Sequence, residues 1–157
     1  PGGPLLSKLA QDGDDTYLTL PRAHLDGKYD FSFSGLKTAF LNACHKMEQK
    51  GEALPRADLA SSFEKAVVDT LCEKAMLALR DSSLNTLCLA GGVSANRRLR
   101  AQMTTLANKR RFRLCMPRLD LCTDNGAMIG SAAYYRLKKG ELAPLSLNAV
   151  PSLPFGN

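Results

Sequence analysis

Residues 87–100 read LCLAGGVSANRRLR. The apolar run before the glycines predicts a short buried strand, Gly91 and Gly92 predict a tight turn, and the residues from Ser94 onward predict a helix. Such a turn leaves backbone N–H groups unpaired at a helix N-terminus, with no bulky side chain in front of them. It can therefore bind a phosphate or another anion. A Gly-Gly turn that only connects strand to helix is the alternative.

Helical and strand-like patterns alternate on both sides of this stretch. The predicted helices cover residues 5–10, 35–50 with Ser34 as the cap, 58–80, 94–108 and 125–139. The predicted strands cover residues 16–20, 30–33, 86–90 and 112–116, and a tight turn is expected at residues 2–4. The alternation predicts an α/β fold.

Composition and charge narrow the class of protein. The chain has 157 residues, of which 45% are hydrophobic and 23% charged, as expected for one globular domain. No apolar run reaches the roughly 20 residues of a membrane span. The chain begins with Pro1 rather than Met, which suggests a fragment of a longer protein.

The net charge of +6 is unevenly distributed, because residues 1–79 sum to −2 and residues 80–157 to +8. Basic residues cluster at 97–100 and at 109–118. This clustering favours a polyanionic partner, and a solvated basic surface is the alternative.

Five cysteines are present, without any C-x-x-C pair: Cys44, Cys72, Cys88, Cys115 and Cys122. We expect buried, reduced thiols and a reducing compartment rather than a structural zinc site.

A second motif, CTDNGAM at residues 122–128, places an acid before another helix start. Asp124 is either the N-cap of that helix or a carboxylate that binds a metal. In the first motif, Asn96 is expected in the first helical turn, where its amide can reach a ligand.

Several motifs recur together in this order, and the combination resembles the TsaD family. These transferases make threonylcarbamoyladenosine in tRNA. The motifs are PGGP (1–4), FSFSGLKT (31–38), ADLASSFEKAVVDTL (57–71), AGGVSANRRLR (90–100) and CTDNGAM (122–128). The resemblance covers nearly the whole chain, and the ordered set is far more specific than one glycine pair.

The resemblance implies a fold and a domain organisation. The family has the actin-like ATPase fold, two RNase-H-like α/β lobes with a nucleotide in the cleft between them. We therefore expect residues 1–140 to form the C-terminal lobe, incomplete on its N-terminal side, with a mixed sheet flanked by helices. Residues 141–157 are expected to be an extended tail.

The resemblance also implies the reaction and its site. Threonylcarbamoyl passes from threonylcarbamoyl-adenylate to the exocyclic amine of the adenosine 3′ of the anticodon, in tRNAs reading ANN codons. The family's nucleotide contacts fall on Gly3 and Asn96, and the Gly91–Gly92 turn lines the same pocket. Each full-length subunit holds one divalent metal, iron or zinc, on two histidines and the aspartate that corresponds to Asp124.

The chain departs from the family pattern at two places. The family's histidine ligands sit in an H-x-x-x-H motif, whereas this chain has only His24 and His45, both expected to be structural. Ser7 stands where many relatives carry an acid, which removes the support for a ribose contact there. We expect half a cleft that is inactive alone, and no residue is assigned a catalytic role. No Ser-His-Asp or Cys-His set indicates a peptidase.

The implied partners are tRNA, threonylcarbamoyl-adenylate, proteins of a tRNA-modification complex and a second subunit in a homo- or heterodimer, with no membrane. The expected location is the bacterial cytoplasm, with a mitochondrion or plastid as the second choice. Two other functions stay open: half of an actin-fold ATPase or sugar kinase, and a non-catalytic scaffold that binds tRNA by charge.

Overall fold

The computed structural model describes residues 2–22 and 27–152. The chain divides into two compact units, Pro1–Cys122 and Thr123–Asn157, and each is described by itself. The division into a lobe at residues 1–140 and a tail at residues 141–157 stays a prediction.

The described part of the first unit alternates helices with two short strands. Its regular elements are α1 (Gly2–Leu9), α2 (Ser34–Gln49), α3 (Arg56–Asp81), β1 (Thr86–Cys88), α4 (Arg97–Arg110) and β2 (Arg113–Cys115). Short 3-10 turns cover Ala10–Asp12, Gly92–Ala95 and Leu119–Leu121. The second unit contains α5 (Gly126–Lys138). The predicted helices are confirmed to within a few residues, and no described helix has the length and apolarity that a membrane span needs.

The sheet consists of β1 and β2, which pair in parallel with Leu87 opposite Leu114. Helix α4 connects the two strands, so this part of the chain is a β-α-β unit and the α/β class is confirmed. The predicted mixed sheet is wrong for the described residues, which contain only this parallel pair.

The predicted strand at residues 16–20 is absent because side chains bind its backbone donors. The carboxylate of Asp14 accepts hydrogen bonds from the backbone N–H and the hydroxyl of Thr16, at 2.8 and 2.7 Å. The N–H of Leu18 donates to the Ser62 hydroxyl of α3 at 3.0 Å. These side-chain bonds, one local and one to a distant helix, take the backbone donors that a strand ladder would need.

The predicted strand at residues 30–33 is also absent. Phe31 and Phe33 stack on each other, with ring centroids 6.3 Å apart, as the alternation of an extended segment allows. No strand in the described ranges pairs with this segment, so it stays irregular.

Two helix starts differ from the prediction. Residues 2–4 belong to α1 rather than to a tight turn, because Pro4 lies in the first turn of the helix, where its missing N–H costs nothing. Ser34 is the first residue of α2 and not its cap; Phe33 occupies the cap position without a side-chain bond. The helix ends at Gln49, and Gly51 lies just beyond its C-cap with φ of +72°.

The hydrophobic core lies where α3, α4 and the sheet meet. Val68 and Cys72 of α3 pack against Leu99 and Met103 of α4, and the partly buried side chains of the two strands, including Leu87, cover them. At the other end of α3, Gly13 lies so close to the Ala57 carbonyl that any side chain there would clash. This contact fixes α1 and its 3-10 extension against α3.

The cysteines are all free, as predicted, but they are not all buried. Burial, followed by the nearby charge of Asp69, raises the pKa of the Cys72 thiol to about 11. Cys88 is exposed because β1 alternates, so that Leu87 faces the core and its neighbours face the other way. The predicted buried strand is therefore buried on one face only.

Met103 is 1% exposed and lies in the centre of the core. We expect Met103→Ala to lower the free energy of unfolding by about 2–5 kcal/mol, because it leaves a cavity. The control is Met128→Ala in α5, where the side chain is 51% exposed and the loss should stay within about 0.5 kcal/mol. Urea unfolding of both variants measures the difference; equal losses would contradict the assignment of the core.

Candidate functional site

Hydrogen bonds on its inner side hold the glycine turn, and the outer surface of its backbone is open. Gly91 has φ of +80° and ψ of 174°, a conformation that favours glycine. The backbone N–H and the hydroxyl of buried Ser94 both donate to the Gly91 carbonyl, at 3.0 and 2.7 Å. A Cβ at Gly91 or Gly92 would meet nothing within 4 Å. The outer backbone of the turn is therefore accessible to a ligand.

Arg100 fastens this turn to the segment after β2. Its guanidinium donates to the Ser94 carbonyl and to the Pro117 carbonyl, each at 2.9 Å. Arg100 is a structural residue here, with two of its donors used inside the protein.

Asn96 is the N-cap of α4, one position before the first helical turn in which it was expected. Its side-chain oxygen accepts from the Leu99 N–H at 2.8 Å. The cap satisfies one of the N–H groups that a helix start leaves unpaired. The N–H groups of Arg97 and Arg98 have no hydrogen bond to other described residues.

The other end of the Asn96 amide joins three helices. Its Nδ2 donates to the Ser7 hydroxyl of α1 at 3.0 Å and to Glu64 Oε1 of α3 at 2.7 Å. The Ser7 hydroxyl in turn donates to the same Glu64 oxygen at 2.6 Å. We call these residues the Ser7–Glu64–Asn96 cluster.

Gly3 lies on α1, four residues before Ser7. Residues four apart share one face of a helix, so Gly3 lies one turn above Ser7 on the face that reaches Asn96. Gly3 is exposed, and a Cβ there would meet nothing within 4 Å. The structure thus brings Gly3, Asn96 and the glycine turn to one region of the first unit.

Most basic side chains at residues 97–100 bond to other groups of the protein. Arg98 pairs with Asp15 at 2.8 Å and lies 3.7 Å from Glu64 Oε2. With Arg100 also engaged, Arg97 alone is an exposed cation without an ion pair among the described residues. Most of this cluster is therefore not available to bind a polyanion.

The second basic cluster is different. Four exposed basic residues at the C-terminal end of α4 and the start of β2 form no ion pair with other described residues: Lys109, Arg110, Arg111 and Arg113. Arg110 and Arg111 line an open pocket together with Arg80, Glu73 and apolar side chains. Arg118, at the end of the predicted run, pairs with Asp120 at 3.1 Å.

Asp124 belongs to the second unit and is exposed. It is not the helix cap, because Asn125 holds that position and accepts from the Met128 N–H at 3.0 Å. The Asp124 carboxylate has no hydrogen bond or ion pair to other residues in the described ranges. It is thus uncommitted and suited to bind a cation as one oxygen ligand.

The described structure groups no histidine with Asp124 as a further metal ligand. His45 is exposed on α2, and His24 lies outside the described residues. Residues 2–22 and 27–152 contain no group of three His, Cys, Asp or Glu side chains that could hold a metal.

Sequence reasoning missed Glu64 and gave Ser7 no role. Glu64 stands among other charged residues of its helix, a pattern that indicates a polar face, yet its side chain is only 11% exposed. Its partners belong to α1 and to the N-cap of α4, far away in sequence, so no local pattern indicates them. For Ser7, the spacing of four from Gly3 was the one available signal.

An α/β unit with a glycine turn before a capped helix is typical of nucleotide- and phosphate-binding proteins. Residues 1–131 match the sequence profile of TsaD, described as tRNA N6-adenosine threonylcarbamoyltransferase. The chain therefore belongs to the TsaD family.

Three curated relatives carry the same description. They come from Clostridium novyi (44% identical), Moorella thermoacetica (46%) and Desulfitobacterium hafniense (47%). The alignments cover 98–99% of this chain but only 45–46% of each relative. The chain thus spans about half the length of the curated relatives it matches.

Gly91 and Gly92 provide a matched test of the turn. Both have open space for a Cβ, but only Gly91 has a positive φ. We expect Gly91→Ala to lower the free energy of unfolding by roughly 1–2 kcal/mol, because the left-handed conformation strains an L-residue. Gly92→Ala should change it by less than about 0.5 kcal/mol. Chemical denaturation measures both, and a reversed order would refute the turn geometry.

Proposed function

We propose that this chain is part of a tRNA N6-adenosine threonylcarbamoyltransferase. The observation that carries the proposal is the family match over residues 1–131, together with relatives of that description along nearly the whole chain. In this proposal the fold is a lobe of the actin-like type, with the lobe at residues 1–140. The substrates are threonylcarbamoyl-adenylate and tRNA.

The glycine turn and the start of α4 are the proposed adenylate contacts. The backbone N–H groups of Arg97 and Arg98 bond to no other described residue and lie at the positive end of the helix dipole. This end of the helix attracts a phosphate. The bare surfaces of Gly91 and Gly92 allow the ligand to approach the backbone. Gly3 leaves similar space above Ser7.

The reaction requires groups that accept developing negative charge. When the adenosine amine attacks the carbamoyl carbon, charge grows on the carbonyl oxygen and on the departing adenylate phosphate. Backbone donors fixed by Ser94 and Asn96 can hold that phosphate without reorganising. The chain's own contribution to catalysis is thus the orientation of the adenylate.

Asp124 is the proposed ligand for a divalent metal, iron or zinc. The residue fits, because its carboxylate is exposed and uncommitted and hard oxygen donors bind such ions. The two histidine ligands are proposed to come from an H-x-x-x-H segment outside this chain. When bound, the metal supplies Lewis-acid polarisation of the reacting oxygens.

The test is transfer of threonylcarbamoyl from the adenylate to tRNA, measured with a protein that contains both this chain and the histidine segment. We expect Asp124→Ala to lower the rate by about 100-fold or more while the fold stays intact, because the metal loses a ligand. The control is Asp120→Ala, another exposed acid nearby whose surface ion pair is worth little.

Three outcomes would contradict the proposal. Full activity of Asp124→Ala would remove its role as a ligand. Modified tRNA produced by the isolated chain would show that the histidine segment is unnecessary. Hydrolysis of ATP without any threonylcarbamoyl transfer would instead indicate half of an ATPase or kinase.

We further propose that tRNA phosphates contact the second basic cluster, since its charges are exposed and unpaired. Replacing Lys109, Arg110 and Arg113 by Gln should weaken tRNA binding about tenfold at low salt and flatten its salt dependence. The control replaces Lys37, Lys46 and Lys50 of the α2 region by Gln, which removes the same charge. Equal weakening by both triple variants would show a non-specific charge effect and overturn the assignment.

A further inference from the structure

The Asn96 amide is held with its oxygen at the start of α4 and its nitrogen toward Ser7 and Glu64. A carboxamide has two N–H donors and an oxygen with two acceptor positions. The nitrogen donates to the Ser7 hydroxyl at 3.0 Å and to Glu64 at 2.7 Å, and these two acceptors lie on one side of it, 2.6 Å apart. The oxygen uses one acceptor position for the Leu99 N–H. No other described residue bonds to Oδ1, so its second acceptor position is the one that Asn96 can present to a ligand at the start of α4.

Glu64 is the group that enforces this orientation. A carboxylate only accepts hydrogen bonds, whereas the Ser7 hydroxyl can donate or accept and would tolerate either end of the amide. A flipped amide would place its oxygen against the Glu64 carboxylate and would lose the Leu99 cap. Since Glu64 carries a charge, its bonds are also stronger than those of a neutral acceptor.

Glu64 is itself fixed in place. Its side chain is 11% exposed, and one oxygen accepts from both Ser7 and Asn96. The Arg98 guanidinium lies 3.7 Å from the other oxygen and balances the charge, while Asp15 holds Arg98 from the far side at 2.8 Å. The carboxylate is thus anchored before any ligand arrives.

We propose that Glu64 is a positioning residue for the ligand site. It orients Asn96 so that the free acceptor position of Oδ1 receives a hydroxyl or amine donor of the bound nucleotide. The inference rests on the proposed function in one respect, namely that the ligand is an adenylate.

The test measures binding of adenosine 5′-monophosphate, and the KM and kcat for threonylcarbamoyl-adenylate, in the protein that contains this chain. Glu64→Ala should weaken nucleotide binding and raise KM about tenfold, the effect of one lost hydrogen bond, with little change in kcat. Glu64→Gln should stay within about threefold of the wild type, because the amide oxygen still accepts from both partners. Glu73→Ala, an exposed acid on the same helix, is the matched control and should bind normally.

A second pair of variants keeps the test valid if Glu64→Ala does not fold. Asn96→Asp retains the oxygen that caps Leu99 but loses the donor that reaches Glu64, and two carboxylates then face each other. Adding Glu64→Gln restores a donor–acceptor pair with its direction reversed. We expect the double variant to bind the nucleotide several-fold better than Asn96→Asp alone, as coupled residues do.

The outcomes separate the two proposals. If the wild type does not bind the nucleotide, the proposed function fails. If the wild type binds it but folded Glu64→Ala binds equally well, Glu64 has no positioning role. A double variant no better than Asn96→Asp alone would overturn the inference in the same way, because Glu64 would then act only on the stability of the helices.

Discussion

The Asn96 carboxamide is the contact on which the site region depends. Its oxygen begins α4 by capping Leu99, and its nitrogen ties that start to α1 and α3 through Ser7 and Glu64. Since α4 also links the two parallel strands, the position of the sheet relative to α3 follows from the same residue. The hydrogen bonds of Asn96 thus hold the start of α4 against α3, while Met103 and Val68 hold the two helices together by packing in the core.

The glycine turn is held by hydrogen bonds on its inner side. Ser94 gives two donors to the Gly91 carbonyl, and Arg100 holds the Ser94 carbonyl in turn. A ligand at the outer face would therefore find backbone groups already in place, so that little conformational entropy is lost on binding. This geometry requires a positive φ at Gly91, which glycine adopts without strain.

The sequence predicted what depends on local pattern and missed what depends on distant partners. The helices and the two strands of the β-α-β unit follow from periodicity and turn chemistry, and they are confirmed. The strand at residues 16–20 fails because Asp14 and Ser62 take its backbone donors, and Ser62 lies on another helix. The burial of Glu64 is missed for the same reason, because in a helix with mixed charges nothing local shows that Ser7 and Asn96 cover it. The site assignments at Gly3, Gly91, Gly92, Asn96 and Asp124 stay predictions.

The two basic clusters lie at opposite ends of α4, where the helix dipole has opposite effects on a positive charge. At the N-terminal end the helix dipole disfavours cations, and there Arg98 is compensated by Asp15 and Glu64. At the C-terminal end the dipole favours cations, and there Lys109 and Arg110 need no carboxylate partner. Charge counting treats both clusters alike, yet only the second leaves its charges free for solvent or a polyanion. The Glu64 carboxylate near the start of α4 is favoured by the same dipole, and its hydrogen bonds with Ser7 and Asn96 support the proposed role in orienting the amide.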